Sequence, residues 1–173
     1  PLISLMKDQV HALLEAGLPA AYINSSLTPA QQYKVIQNAK QYKYKLIYVA
    51  PERLELGFFQ EFAASTNVSF VSIDEAHCVS QWGQDFRPSY LKIAQFIQSM
   101  PKRPIIGAFT ATATREVKDD IISLLALQKP FVMTTGFDRK NLYFEVQKPV
   151  DKFTALERFL ERNPNKTGII YCT

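Results

Sequence analysis

The chain has 173 residues, 47% of them hydrophobic and 21% charged, which is the composition of a soluble globular protein of one domain or slightly more. Its net charge of +4 favours polyanionic partners without approaching the charge density of a histone-like DNA binder. We expect neither a membrane-spanning segment nor a signal peptide, because no apolar run has the required length. The two cysteines, Cys78 and Cys172, are far apart and lack zinc-binding spacing, which indicates reduced cytosolic thiols and no zinc site.

Short apolar runs alternate with amphipathic stretches along the whole chain. This alternation is typical of an α/β protein in which helices flank a parallel sheet. The predicted strands, in chain order, are residues 20–24, 45–50, 68–73, 104–109, 131–135, 142–146 and 168–172.

Three helices have clear sequence signals. The first is predicted from about Pro29 to Lys40, because Thr28 is a suitable N-cap and Gln31 completes a capping box. Two further helices are predicted from apolar faces, one formed by Val117, Ile121, Leu124 and Leu125, and one formed by Leu156, Phe159 and Leu160 behind a cap at Asp151.

Residues 134–142 combine turn-forming residues with a loss of periodicity, which predicts a connection between domains. We place a first domain at residues 1–136, a linker at 137–141 and the start of a second domain at 142–173. The chain begins without a methionine and ends in the apolar run GIIYCT, so we expect it to be a piece of a longer protein.

Two adjacent carboxylates, Asp74 and Glu75, follow the predicted strand 68–73. Ligands of open α/β sheets bind at the carboxyl ends of the strands. A hydrophobic strand ending in aspartate is how nucleotide hydrolases hold Mg²⁺ through water, and the next carboxylate is then placed to polarise the attacking water. A solvated turn is the alternative interpretation, and His77 directly after the pair favours the catalytic one.

Residues 80–87, SQWGQDFR, are polar but contain Trp82 and Phe86. Bases stack on exposed aromatic rings, and the planar cation of Arg87 can contact phosphate or stack as well. The alternative is that both rings pack beneath the loop as a small separate core. The neighbouring Gln81, Gly83 and Gln84 favour a mobile polar loop that meets single-stranded nucleic acid.

The segment DEAHCVSQWGQDFRPSY, residues 74–90, closely resembles the RecQ family of DNA helicases in helicase superfamily 2. Other segments resemble that family's motifs in the expected order: residues 1–10 motif Ia, 45–54 the following block, FTATAT at 109–114 motif III, and GIIYCT at 168–173 the start of motif IV. FDRKNL resembles the family's linker but has Lys140 where proline is common, which loosens the linker prediction.

The resemblance implies a RecA-like parallel sheet of the P-loop NTPase type, followed by the beginning of a second RecA-like domain. It also implies residue roles. Asp74 would coordinate Mg²⁺ through water, Glu75 would activate the hydrolytic water, and His77 would link the nucleotide site to the aromatic loop. The remaining roles are contacts to single-stranded DNA by Gln81, Trp82, Phe86 and Arg87, and relay between ATP state and DNA by Thr110 and Thr112.

The implied function is that of an ATP-dependent 3′-5′ DNA helicase in repair and recombination. Its implied cofactors are ATP and Mg²⁺, and its partners are single-stranded and duplex DNA and the rest of the same helicase chain. The implied location is the cytoplasm, associated with a bacterial nucleoid, in preference to a nucleus.

The sequence contains no G-x-x-x-x-G-K-[ST] phosphate loop, and no arginine finger can be assigned. We therefore expect these 173 residues alone to bind nucleotide poorly and to hydrolyse none. A catalytically inactive DNA-binding module derived from a helicase is the alternative. A DEAH-type RNA helicase is a third possibility, which the SQWGQDFRP loop disfavours.

Overall fold

The computed structural model describes residues 3–83, 85–136 and 140–171, without the side chain of Ser4. The chain divides into two compact units, Pro1–Phe131 and Val132–Thr173. The helices and strands of the described residues are, in chain order, α1 (Ile3–Glu15), β1 (Ala20–Ile23), α2 (Pro29–Lys40), β2 (Leu46–Val49), α3 (Gly57–Ser65), β3 (Phe70–Ile73), α4 (Pro88–Ser99), β4 (Ile105–Ala108), α5 (Arg115–Leu124) and α6 (Lys152–Arg162). Short 3₁₀ helices occupy Pro51–Arg53 and Ala76–Val79.

The strands of the first unit form two parallel pairs. β1 pairs with β2 with Ala20 opposite Leu46, and β3 pairs with β4 with Phe70 opposite Ile105. Parallel neighbours need a crossover connection, which α2 supplies between the first pair and α4 between the second. The predicted α/β fold class and the first four predicted strands are confirmed.

One hydrophobic core serves both strand pairs. It includes Ile23 from β1 and Ile73 from β3, together with apolar residues of α2, α3, α4 and α5. Phe59 and Phe96 stack within it with ring centroids 5.5 Å apart. Because Ile73 is buried in this core, the chain position that follows it, Asp74, is held at the edge of the sheet.

Helix α2 has the predicted bounds. Thr28 Oγ1 accepts the Gln31 backbone N–H at 3.3 Å, and Gln31 Oε1 accepts the Thr28 backbone N–H at 2.8 Å. Both donors belong to the first turn, where no intrahelical carbonyl is available, so the capping box satisfies them.

Helix α5 buries most of its predicted apolar face. Val117, Ile121 and Leu125 are less than 10% exposed, whereas Leu124 is 40% exposed. Each residue turns a helix by about 100°, so the buried face centres on Ile121 and Leu124 lies at its edge. Leu124 therefore belongs to the margin of the predicted apolar face and is not buried with the other three residues.

The second unit contains α6, which begins after the predicted cap. The Asp151 carboxylate accepts hydrogen bonds from the backbone N–H groups of Phe153 and Thr154. The bond from the Thr154 side chain, and after it these two backbone bonds, lower the pKa of Asp151. The predicted apolar face of α6 is largely uncovered, with Phe159 59% and Leu160 51% exposed.

No strand forms at 131–135, 142–146 or 168–171, so these predictions were wrong for the residues that the structure describes. A strand requires a neighbour for its backbone N–H and C=O groups, and Phe131 and Tyr143 of these segments are 90% and 85% exposed. Residue 172 and the predicted linker residues 137–139 lie outside the described residues. The predicted division at 137–141 stays a prediction.

None of the helices in the described part of the chain combines the length and apolar character that a membrane crossing requires.

Candidate functional site

The acidic pair lies directly after β3. Asp74 Oδ1 accepts the backbone N–H of Glu75 at 2.9 Å, and Glu75 adopts a left-handed conformation with φ 48° and ψ 44°. This conformation costs a non-glycine residue about 1 kcal/mol, and such backbone strain clusters at functional sites. Both side chains are exposed at the carboxyl edge of the sheet, as predicted from the sequence.

His77 connects the acidic pair to the segment after β4. Its Nδ1 lies 2.8 Å from Thr110 Oγ1 and 3.3 Å from Glu75 Oε2, and its side chain is 12% exposed. The single hydroxyl proton of Thr110 goes to the Thr112 carbonyl oxygen at 3.1 Å. Nδ1 of His77 is therefore within contact distance of two oxygens, one from Glu75 and one from Thr110.

Cys78 packs under this histidine. Its Sγ lies 3.8 Å from His77 Nε2, and the residue is 1% exposed. Burial raises the pKa of the Cys78 thiol above its usual value, so the sulfur stays protonated at neutral pH and can act as a weak donor to Nε2. Cys78 is thus a free thiol, as expected, whereas Cys172 lies outside the described residues.

The aromatic loop, residues 80–87, leaves its indole in solvent. Trp82 is 79% exposed, Gln81 is exposed and Phe86 is half-buried, while Gln84 lies outside the described residues. The alternative that the indole packs beneath the loop is therefore contradicted. A Cβ on Gly83 would collide with the His77 backbone carbonyl oxygen, so the loop can pass this close to the histidine only with glycine there.

Arg87 has a partner within the loop. Its Nε donates to Asp85 Oδ2 at 2.9 Å, and its backbone N–H donates to the Cys78 carbonyl oxygen at 2.9 Å. The side-chain hydrogen bond raises the pKa of Arg87 and lowers the pKa of Asp85. A phosphate that binds Arg87 must therefore compete with a carboxylate already in place.

The first unit matches a known protein family. The sequence model described as "DEAD/DEAH box helicase" matches residues 1–120, which include the acidic pair, His77, the aromatic loop and Thr110. The chain belongs to the DEAD/DEAH box helicase family.

Among proteins of this family, the expected resemblance to RecQ helicases is confirmed. The chain is 47% identical to the ATP-dependent DNA helicase RecQ of Bacillus subtilis, and the match covers 99% of the chain and 29% of that protein. It is 45% identical to the RecQ of Pasteurella multocida, with 99% and 27% covered. The chain thus spans less than a third of the length of these relatives.

A solved structure also matches. The helicase domain of Pyrococcus furiosus Hef superposes with a TM-score of 0.44 at 21% sequence identity, and the match covers 61% of this chain and 20% of that one.

Tyr90 contacts the main chain at the acidic pair, and this contact was not predicted from the sequence. Its hydroxyl donates to the Asp74 carbonyl oxygen at 3.1 Å, and the residue is 5% exposed. The spacing of Tyr90, Ile93 and Ile97 on α4 indicates a buried face, but no local pattern reveals that the hydroxyl reaches the end of β3. Burial raises the pKa of Tyr90 to about 12, so the phenol stays a donor throughout the neutral range.

We predict that Tyr90→Phe lowers the free energy of unfolding by about 1 kcal/mol, because the hydrogen bond from the Tyr90 hydroxyl to the Asp74 carbonyl is lost. Since the folded pKa of Tyr90 is raised, its contribution is complete below about pH 10 and is lost as the pH rises toward about 12. Urea denaturation measures the first effect, and the phenolate absorbance difference between wild type and variant measures the second.

Tyr42→Phe is the control, because it removes a hydroxyl from a ring that is 71% exposed. Equal stabilities of the two variants would show that the bond from Tyr90 to Asp74 contributes nothing.

Proposed function

We propose that the chain is part of the motor of an ATP-dependent DNA helicase that moves 3′ to 5′ on single-stranded DNA and unwinds duplexes in repair and recombination. The observation that carries this proposal is the position of His77, which contacts both Glu75 and Thr110 and is followed directly by the loop that exposes Trp82. Groups suited to nucleotide hydrolysis and to base stacking thus belong to one short segment.

The donor set at the sheet edge suits Mg²⁺. Mg²⁺ prefers oxygen ligands and keeps several waters, so one or two carboxylates suffice. Asp74 would hold the ion through water, with its carboxylate oriented by the bond from the Glu75 N–H. The ion would neutralise charge on the phosphates of ATP. Among the described residues, no group of three or more His, Cys, Asp or Glu side chains forms a metal cage, and this mode of binding does not require one.

Glu75 would serve as the base that orients and deprotonates the attacking water. Its carboxylate is half-exposed, and Nδ1 of His77 lies 3.3 Å from one of its oxygens. This contact limits the rotamers of Glu75, and a base must be held within hydrogen-bond reach of the proton that it removes. His77 is therefore assigned a positioning role.

The aromatic loop would bind single-stranded DNA. Stacking of a base on the Trp82 indole is worth about 1 to 3 kcal/mol and tolerates any base. Phe86 would add a second apolar surface, and Gln81 and Arg87 would contact the DNA backbone. Arg87 would exchange Asp85 for a phosphate, which replaces one charge-assisted hydrogen bond with another of similar kind.

Thr110 and Thr112 would relay between the two sites. Thr110 contacts His77 through its side chain and both backbone groups of Thr112 through its hydroxyl. A shift of this segment would alter the contact between His77 and Glu75. Binding of DNA at the loop would then favour the arrangement of His77 and Glu75 that hydrolyses ATP.

We further propose that the phosphate loop and the arginine finger are supplied from outside residues 1–173, by the rest of the same helicase chain. The intact protein would act on chromosomal DNA, in the cytoplasm of a bacterium.

Trp82→Ala should weaken single-stranded DNA binding by roughly 5- to 150-fold, which corresponds to one lost stacking interaction. It should also reduce the stimulation of ATP hydrolysis by DNA. Fluorescence-independent methods such as filter binding and phosphate release, applied to the longest natural chain that contains these residues, measure both effects. Tyr33→Ala, which removes another exposed ring of the same unit, is the matched control. Full DNA stimulation in the Trp82 variant would refute the coupling.

Glu75→Gln should lower the rate of ATP hydrolysis by about 10²- to 10⁴-fold with little change in DNA binding, because the amide cannot accept the proton of water. Glu61→Gln on α3 removes another exposed carboxylate and should leave the rate unchanged. A wild-type protein that binds DNA but hydrolyses no ATP would instead favour the inactive DNA-binding module.

Residues 1–173 prepared alone should bind ATP weakly and hydrolyse none, because their sequence contains no glycine-rich loop whose backbone N–H groups could surround phosphates. Equilibrium dialysis with ATP and a phosphate-release assay test this expectation. Robust hydrolysis by these residues alone would refute it.

A further inference from the structure

Three polar contacts join the segment that contains the DEAH box to the segment that follows β4. The Ala76 backbone N–H donates to the Phe109 carbonyl oxygen at 2.9 Å, which continues the β3–β4 pairing. His77 contacts Thr110 as described. The third contact lies farther along both segments, where Ser80 Oγ donates to Asp120 Oδ2 at 2.6 Å.

Ser80 is placed to act on the aromatic loop. Its side chain is 0% exposed, and its Oγ accepts the backbone N–H of Trp82 at 3.1 Å while it donates to Asp120. The Ser80 carbonyl oxygen accepts the Gly83 N–H at 3.1 Å. One buried serine therefore fixes the main chain on both sides of the exposed indole. The hydroxyl of this serine in turn donates its proton to the Asp120 carboxylate.

Asp120 lies on α5, the helix that directly follows the TAT segment, which comprises residues 109–114. Thr114 Oγ1 accepts the Val117 N–H at 3.3 Å, so the end of the TAT segment is the N-cap of α5. Asp120 lies six residues beyond that cap, about 9 Å along the helix axis. Thr110 lies four residues before that cap, in the segment that leads into the helix, so the contacts at Thr110 and at Asp120 attach to two successive parts of the chain.

We infer that Asp120 is a positioning residue for the aromatic loop. Through Ser80 it fixes the main chain at Trp82, so the loop follows helix α5 and the TAT segment that caps it. His77 transmits a displacement at Thr110 to Glu75, and Ser80 transmits a displacement at Asp120 to Trp82. The inference rests on the proposed function, in which Trp82 contacts DNA and Thr110 responds to the nucleotide.

The test compares Asp120→Ala with Asp119→Ala in the longest natural chain that contains these residues. Both variants remove one carboxylate from adjacent positions of α5, but Asp119 is exposed and the Ser80 bond is made by Asp120. Hydrogen exchange followed by mass spectrometry reports on the Trp82 N–H, which Ser80 Oγ accepts. Asp120→Ala should speed exchange at Trp82 by about tenfold, and Asp119→Ala should leave it within twofold of wild type.

Asp120→Asn supplies the rescue. Its amide oxygen can still accept the Ser80 hydroxyl, so exchange at Trp82 should stay close to wild type. The functional readout is the concentration of single-stranded DNA that gives half-maximal stimulation of ATP hydrolysis. It should rise about tenfold in Asp120→Ala only.

Two results would overturn the inference. One is equal exchange at Trp82 in Asp120→Ala and Asp119→Ala. The other is that Asp120→Ala speeds hydrogen exchange in the peptide covering α2 as much as at Trp82, which would indicate general loosening of the fold. Failure of the proposed function looks different: Trp82→Ala would then bind DNA normally, while Asp120→Ala would still loosen the Trp82 N–H.

Discussion

The parallel pairing of β3 with β4 is the constraint on which the candidate site depends. It ends with the Phe109 N–H bound to the Ile73 carbonyl oxygen and the Ala76 N–H bound to the Phe109 carbonyl oxygen, both at 2.9 Å. These bonds bring His77 and Thr110, 33 residues apart in the chain, to one edge of the sheet. In a parallel pair both strands end on the same side, so a carboxylate after one strand and a hydroxyl after the other become neighbours without any local sequence signal.

The loop beyond this edge combines rigid and exposed parts. Its start is buried at Ser80, its turn at Gly83 passes against the His77 carbonyl, and its end is held by the bond from the Arg87 N–H to Cys78. The indole of Trp82 extends from this frame into water. Much of the entropic cost of ordering the backbone is therefore already met before a ligand binds, and stacking on the ring has mainly the side chain to immobilise.

Sequence patterns predicted features that depend on neighbours in the chain or on burial alone. The capping box at Thr28 is decided by residues within one helical turn, and an acidic pair after an apolar strand lies at the sheet edge whatever the rest of the chain does. The RecQ resemblance correctly indicated the family. The hydrogen-bond partners of Tyr90, Ser80 and Asp120 could not be predicted, because each partner lies on an element whose placement is set by the shared core. The predictions of three strands beyond residue 130 were wrong, among the described residues, for a related reason. An apolar β-branched run indicates a tendency to form a strand, but pairing also requires a neighbouring strand.

Trp82 is the single tryptophan among the 173 residues, and its ring is 79% exposed. When the protein is excited at the red edge of its absorption band, where its eight tyrosines absorb little, the emission therefore arises from one indole in the aromatic loop. That emission reports on the surroundings of a single side chain, with no label attached and no second indole to subtract.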